Sequence, residues 1–343
     1  MDLRFFDLSF RTAYAQAKET ALAQGAVPLV TAGSLQTEKR AGKAFVYRYR
    51  YDATGKRLTE YLGPEAGEST AEAVERARTE IQEAGMLAGY SRDLRKVGFH
   101  STENSALITV AALFNAGLFA KGGILVGTHA FGAILNELGV AGVRLAMTED
   151  VDFARSAPIQ VAALPTGGFL ELLKTTGLPF SEVPGLKPNS PATSFKVRGR
   201  NLKVDLLVPA AGEPFKPVRI PELGAHAAGL PHLRYLLSNP SQSVLLGRDR
   251  IVPVSVPHAG RLCLHKLALY SLRRGNDPKR PKDLAQATLL AAAITHENDY
   301  LLHDAIGALD KAHLSKAKAG AAKAVEMLES DHPEAAGLLA KIA

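Results

Sequence analysis

The sequence predicts an α+β protein with three regions: an N-terminal helix and β-hairpin region, a mixed-sheet core flanked by helices, and a C-terminal helical domain. Three observations carry this. Apolar and polar residues alternate with period two around Tyr47, Val151 and Val204, as half-buried strands require. Between Leu107 and Leu118 the apolar residues recur at helical spacing. After Pro257 the chain is rich in Ala, Leu and Lys and reads as helix to its end. Natural boundaries fall at 1–98, 99–258 and 259–343.

In chain order, 10–24 reads as a helix, broken by Gly25 and Pro28. Phe45, Tyr47, Tyr49 and Tyr51 then fall on one strand face, with Val46, Arg48 and Arg50 on the other. Asp52 to Gly55 supplies a turn, and the strand of 57–62 ends at Gly63-Pro64. Such a hairpin either packs its tyrosines on a neighbouring helix or presents aromatics and arginines to a nucleic acid. Ser69 or Thr70 caps a charged helix over 71–84, which Gly85 closes.

In the core, Leu107, Val110, Leu113, Phe114 and Leu118 mark a helix. Gly122-Gly123 precedes the apolar run Ile124 to Val126, and Gly127-Thr128 opens a second helix through Leu135. A small residue at that turn lets the helix N-terminus approach an anion, whose oxygens its free N–H groups can bind. Gly142 to Ala146 leads into Thr148-Glu149-Asp150-Val151-Asp152-Phe153. On that strand Val151 and Phe153 face one side, and Asp150 and Asp152 the other. Gly167-Gly168 precedes a short helix over 169–176. Two hairpins follow, around Gly199 to Asn201 and around Gly247 to Asp249, and the first places Asp205 in an otherwise apolar strand.

The 343 residues are 46% hydrophobic, enough for more than one core. Cys263 is the single cysteine, which excludes an intrachain disulfide and a four-cysteine zinc site and favours a reducing, cytoplasmic setting. The longest apolar region, 105–135, is interrupted by Asn115, Lys121 and His129, so no membrane span is expected. The net charge is +7, which suits a polyanionic partner. Seven basic residues lie between Arg261 and Lys282 against one acid, Asp277; they form either a solvated helix face or a phosphate-binding surface. There is no Gly-x-Ser-x-Gly elbow, no Walker loop, and no Gly-x-Gly-x-x-Gly after a strand. Serine-hydrolase, P-loop and Rossmann readings therefore fail.

The chemistry rests on the aspartates. Carboxylates at i and i+2 of a strand share a face, about 7 Å apart, close enough to grip a common divalent ion. Two-metal phosphoryl transfer uses ions about 3.5–4 Å apart, and Asp150, Asp152 and Asp205 are the candidate ligands.

The order of these motifs is strand, Gly-Thr, helix, Asp-x-Asp strand, lone strand aspartate. It resembles the DNA polymerase β-like nucleotidyltransferases. The stretch Gly122 to Val140, with Gly127-Thr128-His129-Ala130-Phe131 and Leu138-Gly139-Val140, is similar to one bacterial branch of that superfamily. So are Thr148 to Phe153, the 257–287 region with His265-Lys266, Arg273-Arg274 and Lys282-Asp283, and Tyr61-Leu62-Gly63-Pro64 ahead of the core. The chain departs from the minimal pattern in having Thr128 for serine and a longer gap from Thr128 to Asp150.

The resemblance implies NMP transfer from an NTP such as ATP to an acceptor hydroxyl, supported by two Mg²⁺ ions or Mn²⁺. Asp150 and Asp152 would bind both ions and Asp205 the nucleophile-side ion. Gly127, Thr128, Lys266, Arg273 and Lys282 would hold the nucleotide. RNA is the acceptor that the basic surface favours. The alternatives are a toxin-like enzyme that AMPylates or UMPylates protein, and a catalytically silent nucleic-acid-binding module, against which the three aspartates argue. His129, at a helix start, reads as structural.

Overall fold

The computed structural model describes residues 3–143, 150–158, 164, 166–185 and 190–343. Thr148 and Glu149 lie outside the described residues, as do 144–146 of the segment leading to them.

The N-terminal region comprises β1 (Arg4–Phe5), α1 (Leu8–Leu22), β2 (Ser34–Arg40), β3 (Lys43–Tyr51), β4 (Arg57–Pro64) and α2 (Glu68–Lys96). The expected hairpin is β3–β4, and β2 extends it to an antiparallel sheet in the order β2-β3-β4. The Asp52 carboxylate accepts from the backbone N–H groups of Thr54 and Lys56 and so fixes the turn. The expected end of α2 at Gly85 is corrected: the helix runs on to Lys96. Gly85 costs only about 1 kcal/mol inside a helix. The residues beyond it, Leu87 and Leu94, are buried in a small core with Tyr14 and Phe99. The N-cap is Gly67, with Thr70 buried in the first turn.

The central region contains α3 (Asn104–Asn115), β5 (Gly123–Val126), α4 (Gly127–Glu137), β6 (Val140–Ala141), β7 (Val151–Arg155), α5 (Gly168–Lys174), β8 (Phe180–Glu182) and β9 (Ser194–Val197). It continues with β10 (Lys203–Pro209), β11 (Pro217–Ile220), β12 (Ala225–Leu230), α6 (Leu233–Leu237), β13 (Ser241–Leu246) and β14 (Ile251–Val256). The main sheet runs β11-β12-β10-β7-β5, with β9 on the first half of β10 and β8 on β9. It is mixed: β10 is parallel to β7 and β12, whereas β5–β7, β9–β10 and β11–β12 are antiparallel. Val151 and Phe153 of β7 and Val204 and Leu206 of β10 are buried, so the opposite faces of both strands carry the aspartates. Phe119, Phe153, Phe169 and Phe195 form a chain of ring contacts through this core, with centroids 5.3–6.4 Å apart.

The β13–β14 hairpin lies outside the main sheet and joins it to the N-terminal region. Val244, Leu246 and Ile251 share the small core with α1 and α2. The remaining helices are α7 (Ala259–Leu272), α8 (Lys279–Asn298), α9 (Tyr300–Gly307), α10 (Lys311–Leu328) and α11 (Pro333–Ala340). Helix α10 crosses α7 at Gly320, where an added Cβ would lie 2.4 Å from the Leu267 carbonyl oxygen. Cys263, buried between α7 and α8, donates its S–H to the Ala287 carbonyl at 3.3 Å. Among the described residues no helix is long and apolar enough to cross a membrane.

Candidate active site

Strands β7 and β10 run parallel with Asp152 opposite Asp205, between the pairs Val151–Val204 and Phe153–Leu206. Residues in one row of a sheet project to the same face, with strands about 4.8 Å apart, so the two carboxylates stand side by side. Asp150 is exposed just before β7. Burial raises the Asp152 pKa to about 6, helped by the negative charges of Asp205 and Asp150. Three mutually repelling carboxylates thus meet at this end of the sheet.

Asp205 is held on both oxygens: the Ser194 hydroxyl of β9 donates to Oδ1 at 2.5 Å, and Lys203 Nζ lies 2.8 Å from Oδ2. Burial disfavours the Lys203 charge. Its hydrogen bond to Asp205 and the charges of Asp205, Asp150 and Asp152 outweigh that and raise its pKa. Lys279, at the start of α8, adds positive charge that pulls the Asp152 pKa down.

Strand β5 pairs antiparallel with β7, placing Val126 opposite Asp152, so the next residue, Gly127, opens α4 beside the carboxylate. Gly127 has φ +73°, and a Cβ there would lie 2.1 Å from Asp152 Oδ2. Only glycine lets the helix N-terminus come this close. The N-terminus of α4 therefore begins beside the Asp152 carboxylate, where an anion bound with cations would complete both.

The basic residues after Arg261 are mostly neither a solvated face nor free cations. Lys266 is buried, its ammonium 3.1 Å from Asp283 and 5.9 Å from the Phe131 ring centroid of α4. Burial lowers its pKa, against the opposing pull of Asp283. Arg273 bridges Asp283 and Asp277, and Arg280 stacks at 3.8 Å on Tyr270. Lys282 is exposed on α8. Asp150, Asp152, Asp205 and Gly127-Thr128 thus come together. Lys266 and Arg273 instead form a salt-bridged knot around Asp283 that touches α4 from behind. His129 is buried, and its pKa falls to about 4 through burial.

Sequence reasoning missed Lys203, Ser194 and the particular place of Lys279. Lys203 stands two residues before Asp205 on one strand, the same face-sharing interval as Asp150 and Asp152, and Ser194 is the residue opposite Asp205 in the β9–β10 pair.

The family model described as nucleotidyltransferase matches residues 106–310. The chain belongs to the nucleotidyltransferase family. No curated protein and no solved structure matches it. The matched segment runs from α3 past α9 and contains every candidate site residue named above, while β1 to α2 of this nucleotidyltransferase lie outside it.

The oxygen-only donor set suits a hard divalent cation, and the mutual repulsion of the carboxylates would be relieved by one. Among the described residues no three His, Cys, Asp or Glu side chains stand in metal-holding positions. At Asp205, Lys203 and Ser194 occupy both carboxylate oxygens. Lys203 would have to release Asp205 before an ion could reach that carboxylate.

Proposed function

We propose that this nucleotidyltransferase moves NMP from an NTP to an acceptor hydroxyl in a Mg²⁺- or Mn²⁺-dependent reaction, with RNA as the acceptor. The observation that supports this is the Asp152–Asp205 row set against the N-terminus of α4 at Gly127.

Asp150 and Asp152 would bind both ions, and Asp205 the nucleophile-side ion. The bound ions would supply Lewis-acid stabilisation of the charge that develops on the phosphoryl oxygens. The N–H groups of Gly127 and Thr128, with the Thr128 hydroxyl, would orient the β,γ-phosphates. Lys279 and Lys203 would add positive charge beside them, and the exposed Lys282 a further contact. Lys266 and Arg273 would act indirectly, holding α7 and α8 against α4. In the reaction the acceptor oxygen bonds to the α-phosphorus as the bond to pyrophosphate breaks. Asp205 would receive the hydroxyl proton. Set on paired strands and at the start of α4, these groups are oriented before the reaction begins.

The test is incubation with each α-labelled NTP, Mg²⁺, and either total RNA or lysate, alongside Asp152→Asn. Label in RNA that disappears in the variant is the expected result. Label in protein would replace RNA with a protein acceptor, and no metal-dependent label in any fraction would overturn nucleotidyl transfer.

A further inference from the structure

The β2-β3-β4 sheet has a covered face and an open one. On β3, Arg48 points toward α2, where its guanidinium meets Glu80 and the Ala32 carbonyl. Arg50 shares that face and pairs with Glu60. Residues alternate across a strand, so Tyr47, Tyr49 and Tyr51 belong to the other face. The packing of these tyrosines on a helix, one of the two expected arrangements, is therefore not what forms, and Arg48 is a structural arginine.

On the open face the rings make an array. Tyr47 stacks beside Tyr49 with centroids 6.4 Å apart, and lies 5.4 Å from Tyr61 of β4. Phe45 is 6.2 Å from Tyr61. Tyr61 is 55% exposed and Tyr51 46%, whereas Tyr47 is half-buried and Tyr49 is buried. Cations border the rings: Arg40 lies 5.6 Å over Tyr47 and Arg57 4.8 Å over Tyr49, with Lys43 at the strand end. Glu38 is the acid on this face, and it is engaged by Arg40 and the Tyr49 hydroxyl. Beside the rings runs a polar row on β2, in which Ser34 and Gln36 are both exposed.

We propose that this open face is a platform for single-stranded RNA, with bases stacking on Tyr47, Tyr61 and Tyr51, and phosphates meeting Arg40, Lys43 and Arg57. Tyr47 and Tyr61, with centroids 5.4 Å apart, offer neighbouring stacking surfaces to unpaired bases, whose faces a duplex conceals. Arg40 and Arg57 lie over Tyr47 and Tyr49, so a base stacking on Tyr47 would shift Arg40 from the ring toward the backbone phosphates. The β2 hydroxyl and amide match the 2′-hydroxyl, which both donates and accepts. This rests on the RNA-acceptor reading above and gives it a second, separate binding surface.

The test measures anisotropy of a 5′-labelled oligouridylate of about a dozen nucleotides with the full chain. Oligodeoxythymidylate and duplex RNA of the same length are the comparison arms. The sequence has nine tyrosines and no tryptophan, so stacking is also read as quenching of tyrosine emission. The single-stranded RNA should bind at least as tightly as the DNA and more tightly than the duplex, with quenching. Tyr61→Leu should weaken binding roughly 5- to 150-fold, while Tyr61→Phe, which keeps the ring, should bind as wild type.

Equal loss in both variants, unchanged binding in Tyr61→Leu, tighter DNA binding or equal duplex binding would each overturn the platform. Asp152→Asn should retain full RNA binding, so the two readings fail separately. A Tyr61→Leu protein that binds RNA normally while label transfer persists sinks the platform alone. RNA binding through the rings with no label transfer sinks the catalytic reading alone.

Discussion

Asp152, Asp205, Asp150 and Lys203 form a small electrostatic unit whose balance depends on what is bound. Asp152 is buried beside two like charges, so its ionised form costs stability when no cation is present. Asp152→Asn should therefore raise the melting temperature by a few degrees in chelator, about 2–4 °C per kcal/mol of repulsion relieved. Label transfer should fall roughly 10²–10³-fold, as when one preorganised electrostatic group is lost. Scanning calorimetry and the labelling assay check the two halves, and a lower melting point would contradict the repulsion. Lys203→Gln removes the cation that competes at Asp205. It should tighten Mn²⁺ binding about tenfold, or about 1.4 kcal/mol, by electron paramagnetic resonance titration; unchanged affinity would mean that Lys203 is no obstacle to the ion. The aspartates were legible because a charged residue alternating with buried Val and Phe declares its face. Lys203 carried the same spacing but was masked by its sign: a lysine near a strand end reads as solvent-exposed, and only the fold shows it turned onto Asp205.

Among the elements, the β5–α4 turn depends on one residue. Gly127→Val adds a side chain where the backbone has φ +73° and the nearest atom is Asp152 Oδ2. The strain alone is worth about 1–3 kcal/mol. Nucleotide binding by equilibrium dialysis should be lost and the urea midpoint lowered. Gly85 is the opposite case, an interior helical glycine with nothing within 4 Å of an added Cβ. Gly85→Ala should stabilise by about 0.5–1 kcal/mol, seen as a higher urea midpoint; a lower one would imply that α2 needs to bend there. Helices and alternating strands could be read from pattern, but β11 and β12 could not. Ala225-His226-Ala227-Ala228-Gly229-Leu230 has almost no intrinsic strand preference, and pairing with β10 and β11 decides its conformation. The length of α2 is not legible at Gly85, because the burial of Leu87 and Leu94 beyond it outweighs the cost of one glycine.

Across the whole molecule, His232, His265 and His313 meet where α6, α7 and α10 converge, with ring centroids 5.4 and 5.7 Å from His313 to the other two. Burial pushes the His313 pKa down to about 4, and His265 well below its ordinary value. Asp310 and Asp304 face this region from the acidic side, and Arg261, Lys266 and Arg273 from the basic side. A histidine whose folded pKa is depressed takes up protons on unfolding, so stability is full above about pH 6.5 and falls as pH drops toward 4. The melting temperature should decline over that window, and His313→Phe should flatten the decline. An identical pH profile in the variant would place the acid sensitivity elsewhere. The cluster was invisible in sequence because its members are spread from 232 to 313 and lie in three different helical segments or their caps.

Cys263 has a practical consequence. Its thiol is buried, bonded to the Ala287 carbonyl, and burial raises its pKa to about 12, so alkylating reagents that need an accessible thiolate should pass it by. The wild-type sequence then already serves as an unreactive background for site-directed labelling. A cysteine placed at exposed Thr59, among the rings of the open sheet face, would be the sole maleimide target. A dye there could report an arriving strand without any native residue having been replaced to make room for the chemistry.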